Sequence, residues 1–394
     1  MSITAILDLS YGDCAKSKMS DFLCKDYDIV CRFNGSSNCG HTMVYNNNKY
    51  LTRLIPSGIL HPDKKLIIAQ GVLLDVEVFL NEVEQFKEFN VLERLMVSNK
   101  CHLLLPYHKF ADVENEKATE NKIGSTKNGV AFCAQDKVGR RGIRVIDIIS
   151  DNTKKYKPKD WDLAYKVIDN IKFWNLGTED ALIDKTFKLI TDFVNLNKRY
   201  NFCCDTSAFI NEQLKTSNIL AESAQGHYLD LENGFFPYVT SVPCTAAGVC
   251  LGMNIAPKNL TKVIGLTKAY TTRVGSGPFA TELFDEAADL IRKNGNEFGS
   301  VTKRPRRVGW LNLDELEVAC QINGVDELAI TKVDVLYGIN PIKVLLNNEY
   351  IKMPGWNSKD DINLYNYISL IKETCKVPVK YISYGPDRND TIIW

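Results

Sequence analysis

In the stretch YGDCAKSK a carboxylate, Asp13, is followed by two ammonium groups, Lys16 and Lys18. Such a carboxylate can take up a proton, and lysines spaced this closely can hold a phosphate. The preceding run, ITAILDL, is nearly all apolar, as a buried parallel strand would be. Ligands of α/β sheets sit outside the carboxyl ends of such strands. The loop does not follow the GxxxxGK[ST] phosphate-loop pattern. RFNGSSNCGHT sets Asn38, Gly40 and His41 among small residues that let backbone approach a phosphate or metal. AESAQGHYLDLENGFFPYVTS offers Gln225 and Thr240 in a polar turn, where an amide can bond a base edge. TKAYTTRVGSGPFATEL crowds Lys268, Arg273, hydroxyls and turn residues into one segment. FGSVTKRPRRVGW brings Thr302, Lys303, Arg304, Arg306 and Arg307 together, which suits bidentate capture of a carboxylate or phosphate. In AITKVDVL, Lys332 and Asp334 have a spacing that can read guanine, because one carboxylate accepts from N1–H and the 2-amino group together. Each stretch taken alone is also compatible with an ordinary solvated turn.

These loops need a scaffold, and the apolar pattern supplies one. ITAILDL, LIIAQGVLL, IRVIDII, NILAE, KVIGLTKAY, ELAITKVDVL, IKVLL and VKYISYG read as buried strands. Between them, Leu163, Val167, Ile171 and Trp174 share a helical face, as do Leu283, Ala287, Leu290 and Ile291, and Leu364, Ile368 and Ile371. Alternating strands and helices predict an α/β fold: a large, mainly parallel central sheet flanked by helices. Residues 111–129 read as a mobile loop, and residues 1–394 as one large domain. The chain has 394 residues, 45% of them hydrophobic, enough for a large core. Its 48 basic and 48 acidic side chains leave no basic excess for a nucleic-acid or membrane surface. Twelve cysteines without CxxC pairs, behind an N-terminus lacking a basic-then-apolar leader, point to reduced thiols in the cytoplasm.

Taken together and in order, the blocks NCGHT, PSGIL, LPYHK, DKVGRRGIRV, AQGHYLDLENGFFPYVTS, TKAYTTRVGSGPF, NEFGS, RRVGW and TKVDVL resemble the adenylosuccinate synthetase family from end to end. The resemblance implies that family's P-loop-NTPase-like fold and a ligase reaction. The γ-phosphate of GTP moves to O6 of a 6-oxopurine nucleotide, and the amine of aspartate then displaces phosphate from C6. It implies Asp13 as the base at N1, His41 as the group that stabilises the transferring phosphoryl, and Lys16 in the same phosphate loop. Mg²⁺ would be held by Asp13 and the carbonyl of Gly40. Asn38, Thr126, Gln225, Thr240, Val274 and Arg304 would line the purine-nucleotide site, and Arg140 would reach it across a homodimer interface. Thr302, Arg304 and Arg306 would clamp aspartate. Lys332, Asp334, Ser383 and Gly385 would form the guanine pocket, with Gly40 beside the GTP phosphates.

Some positions depart from the family pattern. GDEGKGK is GDCAKSK here, so Ala15 and Ser17 replace glycines and Cys14 replaces a glutamate. A non-glycine residue held at positive φ there would cost on the order of 1 kcal/mol. TTGRRRR is VTKRPRR, GTTGRGIGP is STKNGVAFC, and Pro243 and Cys244 stand where the family has Asn and Thr. Retained Asp13 favours IMP as the purine substrate. The altered loops raise two alternatives: a bacteriophage-type enzyme that aminates dGMP with ATP or GTP for 2-aminoadenine DNA, and a nucleotide-binding relative without catalysis.

Overall fold

The computed structural model describes residues 2–118, 126–149, 163–176, 180–298 and 305–394. Its centre is a ten-stranded sheet. In chain order the strands are β1 (Ile3–Asp8), β2 (Ile29–Arg32), β3 (Lys65–Ile68), β4 (Leu95–Ser98), β5 (Cys203–Cys204), β6 (Ile219–Glu222), β7 (Leu260–Lys268), β8 (Glu327–Thr331), β9 (Val379–Ser383) and β10 (Thr391–Ile393). Across the sheet the order is β10-β9-β8-β7-β1-β6-β2-β3-β4-β5. Every pairing is parallel except β9 with β10. All six residues of β1 are buried, as a strand covered on both faces requires. The chain therefore forms the expected helix-flanked, mainly parallel α/β sheet.

The strands share one sequence habit. β1, β2, β6, β7, β8 and β9 end on Asp8, Arg32, Glu222, Lys268, Thr331 and Ser383, all at 2% exposure or less. Burying so many polar groups is costly unless each finds partners, and all six strand ends are hydrogen-bonded. Apolar interiors hold the sheet together, while the polar last residues gather along its carboxyl edge.

Five local expectations change. LIIAQGVLL is not one strand: it divides at a turn into Lys65–Ile68 and Leu73–Asp75, and the latter pairs with His102–Leu104 in a separate two-stranded sheet. IRVIDII does not form a strand; Val145–Ile149 is a short helix. The Asp147 carboxylate accepts from the Arg144 N–H at 2.8 Å, and that local cap favours the helical turn, which a short apolar run by itself does not decide. Residues 111–118 of the expected loop continue the helix Pro106–Ala118, whose Ala111 and Asp112 are buried. IKVLL is a strand, Ile342–Leu346, but it pairs with Leu311–Asn312 and Glu349–Met353 in a separate small sheet. In the helix Glu286–Gly295 the buried positions are Ala288 and Ile291, with Leu290 exposed. The other two helical faces hold: Val167, Ile171, Leu364, Ile368 and Ile371 are buried. All twelve cysteines are free thiols.

Candidate active site

The loop after β1 is folded around Asp8. Its carboxylate accepts from the N–H groups of Ser10 (3.0 Å), Gly12 (3.2 Å) and Cys14 (2.9 Å), and from Lys16 Nζ (3.0 Å). Burial opposes the charge on Asp8, but Lys16 and the loop N–H groups outweigh it and hold the carboxyl below its ordinary range. Asp13 (φ 62°) and Ala15 (φ 60°) take left-handed backbone, so the expected strain falls on Ala15. Ser17 escapes it: the residue is already helical in α1 (Lys16–Leu23), and its hydroxyl donates to Thr42 O at 2.8 Å. The neighbouring turn approaches closely. A Cβ on Gly226 would meet Gly12 N and Ser10 O at 2.5 Å, so Gln225 can reach the loop only beside a glycine.

On the β6 and β2 side, Glu222 is fully buried and binds the ring Nδ1 of His41. It also accepts from Arg32 Nη1 at 3.0 Å and from Ser57 N–H at 3.0 Å. Arg32 Nη1 lies 2.8 and 2.9 Å from the two ring nitrogens of His41. Burial disfavours a charged Glu222, yet His41 and Arg32 hold its carboxyl down at about 2. Burial and Arg32 disfavour a charged His41, but Cys39 and Glu222 outweigh both and raise the ring above its ordinary value. Cys39 itself is held down at about 6 against burial by His41, Arg32 and Lys16. Gln225 donates to Asn38 Oδ1 at 3.1 Å, so these two expected nucleotide-site residues meet. Thr240 lies on the same segment, its N–H donating to Leu229 O at 2.7 Å.

On the β7, β8 and β9 side, a second fully buried carboxylate, Glu297, gathers cations. Lys332 Nζ lies 2.7 Å away, Arg306 Nη1 2.8 Å and Lys268 Nζ 3.5 Å, and Tyr270 OH donates at 2.6 Å. The helix Glu286–Gly295 closes on Asn296 in left-handed backbone, and the Glu297 N–H returns to Arg292 O at 2.9 Å. That closure places Glu297 in the interior. Arg306 Nη2 also reaches Asp13 Oδ2 at 3.4 Å. Next to this cluster, Asp334 has a buried Oδ1 without a partner among the described residues. Burial raises its carboxyl above the ordinary value. Lys18 Nζ donates to Ser383 Oγ (2.7 Å), Gly385 O (2.5 Å) and Asp390 O (3.0 Å). Burial pushes Lys18 down to about 8, with Asp390 and Asp334 opposing. Lys18 thus ties the first loop to the expected guanine pocket.

The remaining expected residues lie farther out. Gly40 is exposed, and Val274, next to Gly275 at φ 81°, is half exposed. Thr126 and Arg140 are exposed, Arg140 in left-handed backbone at φ 62°. Thr302 and Arg304 lie outside the described residues. Sequence reading missed Asp8, Arg32, Glu222 and Glu297. Three of these were detectable as charged residues ending an apolar run. Glu297, beyond a helix end, gave no such signal.

Comparison with known proteins places the chain. A sequence model of the family described as adenylosuccinate synthetase matches residues 5–352. The adenylosuccinate synthetase of Flavobacterium psychrophilum is 40% identical, with all of both chains covered. That of Carboxydothermus hydrogenoformans is 38% identical, covering 100% of this chain and 99% of its own. Among solved structures, the fully ligated adenylosuccinate synthetase of Plasmodium falciparum superimposes with a TM-score of 0.92 at 32% identity, over the whole of both chains. The cyanophage S-2L succinoaminodeoxyadenylate synthetase bound to dGMP and dATP reaches 0.65 at 19% identity, covering 100% of this chain and 95% of its own, and shares the fold alone. With family blocks running in order through the chain and whole-length relatives at this identity, the chain belongs to the adenylosuccinate synthetase family, the C–N ligases of purine biosynthesis.

Proposed function

We propose that this chain joins L-aspartate to C6 of IMP at the expense of GTP, with roles divided between the two sides of β1. The 6-oxo group is a poor leaving group. Asp13 takes the proton from N1, and O6 attacks the γ-phosphorus of GTP, whose bond to the β-bridging oxygen breaks as GDP leaves. The aspartate amine then attacks C6, and O6 departs with the phosphate. His41, orientated through Nδ1 by Glu222, stabilises the phosphoryl group in transit, and Lys16 completes the phosphate loop. Asn38, Gln225, Thr240, Val274 and Thr126 line the purine-nucleotide site. Arg306, with Thr302 and Arg304, clamps the aspartate carboxylates. Lys332, Asp334, Ser383 and Gly385 receive guanine.

The single observation that carries the donor assignment is the buried, unpartnered Oδ1 of Asp334. Leaving a buried acceptor unpaired costs about 1–3 kcal/mol, and the N1–H and 2-amino group of guanine would satisfy it where adenine offers no such pair. Mg²⁺ fits the partly exposed Asp13 carboxylate and the exposed Gly40 backbone, since this ion needs only one or two protein oxygens. When bound it neutralises charge on the phosphates.

The sheet takes strands from residues 3 to 393, in keeping with one domain over 1–394. Exposed Arg140 suits a role across a homodimer interface, in an enzyme of the cytoplasm. Among the described residues no helix is long and apolar enough to cross a membrane. Mixing Arg140→Leu with Asp13→Asn subunits should then restore activity neither has alone; a verified mixed dimer without recovery would place Arg140 in its own subunit's site. The substrate test is a panel of IMP, dIMP, GMP and dGMP, each with aspartate and GTP or ATP, read by product mass. Expected is a kcat/KM order of IMP above dIMP above dGMP with GTP as donor, because an IMP site leaves a buried 2-amino group unpaired, roughly a 10- to 100-fold penalty. If dGMP reacts at least about tenfold better than IMP, that same unpaired-group argument reverses and the diaminopurine reaction takes its place.

A further inference from the structure

Glu297 is as deeply buried as any charged group in the molecule, and its two oxygens serve different subsites. Oε1 accepts from Lys332 Nζ at 2.7 Å, Tyr270 OH at 2.6 Å and Lys268 Nζ at 3.5 Å. Oε2 accepts from Arg306 Nη1 at 2.8 Å. Lys332 opens the turn Val333–Leu336 that carries Asp334, and Arg306 faces Asp13. The backbone repeats the link, since Arg306 N–H donates to Glu297 O at 2.9 Å and Lys332 Nζ reaches Gly295 O at 3.4 Å. A planar carboxylate cannot move one oxygen without the other. Its three basic partners are Lys268, Lys332 and Arg306; burial draws Lys268 below its ordinary value, with Glu297 opposing.

We propose that Glu297 is a positioning residue that couples the guanine subsite to the aspartate subsite, with Lys332 held on one oxygen and Arg306 on the other. The inference rests on the assignment of Arg306 to aspartate and of Lys332 and Asp334 to guanine. Docking guanine at the 333–336 turn settles Lys332, which fixes Glu297 and so presets Arg306 for the aspartate carboxylates. Linkage makes the effect reciprocal: aspartate must tighten the guanine nucleotide by the same factor.

Calorimetric titration measures this directly. Aspartate is titrated into the protein with IMP present, with and without a non-hydrolysable GTP analogue, and the analogue is titrated with and without aspartate. For the wild type we expect a coupling of at least about fivefold in both directions, the low end for linked sites. In Glu297→Gln it should fall to about one, with the affinity for IMP unchanged within about twofold; a merely structural role would weaken all three ligands or lower Tm alone. Should Glu297→Gln not fold, Lys332→Met must abolish the coupling even though methionine at 332 lies on the guanine side. A wild-type coupling of one, or full coupling in either folded variant, overturns the proposal. Undiminished aspartate affinity in Arg306→Leu would instead remove the assignment on which it rests.

Discussion

Two fully buried glutamates flank the first strand, and they do different work. Glu222, at the end of β6, faces His41, a group whose charge can change near neutral pH. Glu297, beneath the ends of β7 and β8, faces two lysines and an arginine. A buried carboxylate paired with a titratable ring sets a protonation state. Glu222 is also gripped by Arg32, whereas a carboxylate surrounded by three basic side chains and no histidine sets their positions. On the roles proposed above, phosphoryl transfer at His41 would draw on the Glu222 side and the holding of guanine and aspartate on the Glu297 side, with Asp13 reaching the latter through Arg306.

The largest expected effect comes from breaking the Glu222 side. With Glu222 present, His41 is raised, so the stabilisation from its charged form is complete below the ordinary histidine value and is lost as pH rises through the raised one. Glu222→Gln should lower the ring's pKa, move the alkaline limb of the kcat profile to lower pH, and reduce kcat by at least about 10²-fold. An alkaline limb that stays in place would mean that Glu222 does not govern His41. Glu222 itself is lowered to about 2, so its own contribution is lost only as pH falls toward that value.

On the other side a smaller and more selective effect is expected. Asp334→Asn exchanges an acceptor-only group for an amide that meets the N1–H of guanine with a donor or a single oxygen. GTP binding should weaken by about 1–3 kcal/mol, roughly 5- to 150-fold, while the KM for IMP stays put. A wild-type enzyme that prefers ATP and ignores this change would show the pocket serving another base. The pH dependence of the two variants sharpens the contrast, because only Glu222→Gln should shift the alkaline limb.

The smallest effect lies in the loop between the two sides. Ala15 sits at φ 60°, so Ala15→Gly relieves about 1 kcal/mol of left-handed strain. It also frees the unfolded chain by about 0.4–1 kcal/mol, so the midpoint of urea unfolding should hardly move. A gain well above about 1 kcal/mol would mean that the alanine strains more than its own φ. Ser17→Gly should instead destabilise, since Ser17 lies in α1 and its hydroxyl bond to Thr42 O would be lost.

By itself the sequence determined the family, the central strands and the loops that follow them. These are local: an apolar run of strand length, a turn and a polar block stay readable without knowing their neighbours. The run IRVIDII shows the limit, because a short apolar segment fits either element and the Asp147 cap decided for a helix. Asp13, His41 and Asp334 were legible as candidates because their blocks occur together and in order, since each stretch alone fits an ordinary turn. Which partners they meet was decided only in three dimensions. Glu222 meets His41 across 181 positions of chain, and Lys18 meets Ser383 across 365. Glu297 stands in the block NEFGS, but its burial was not legible there: a glutamate past a helix end resembles surface. The fold buries it among Lys268, Lys332 and Arg306 because three cations brought together along the carboxyl edge of a sheet need an anion to be held there.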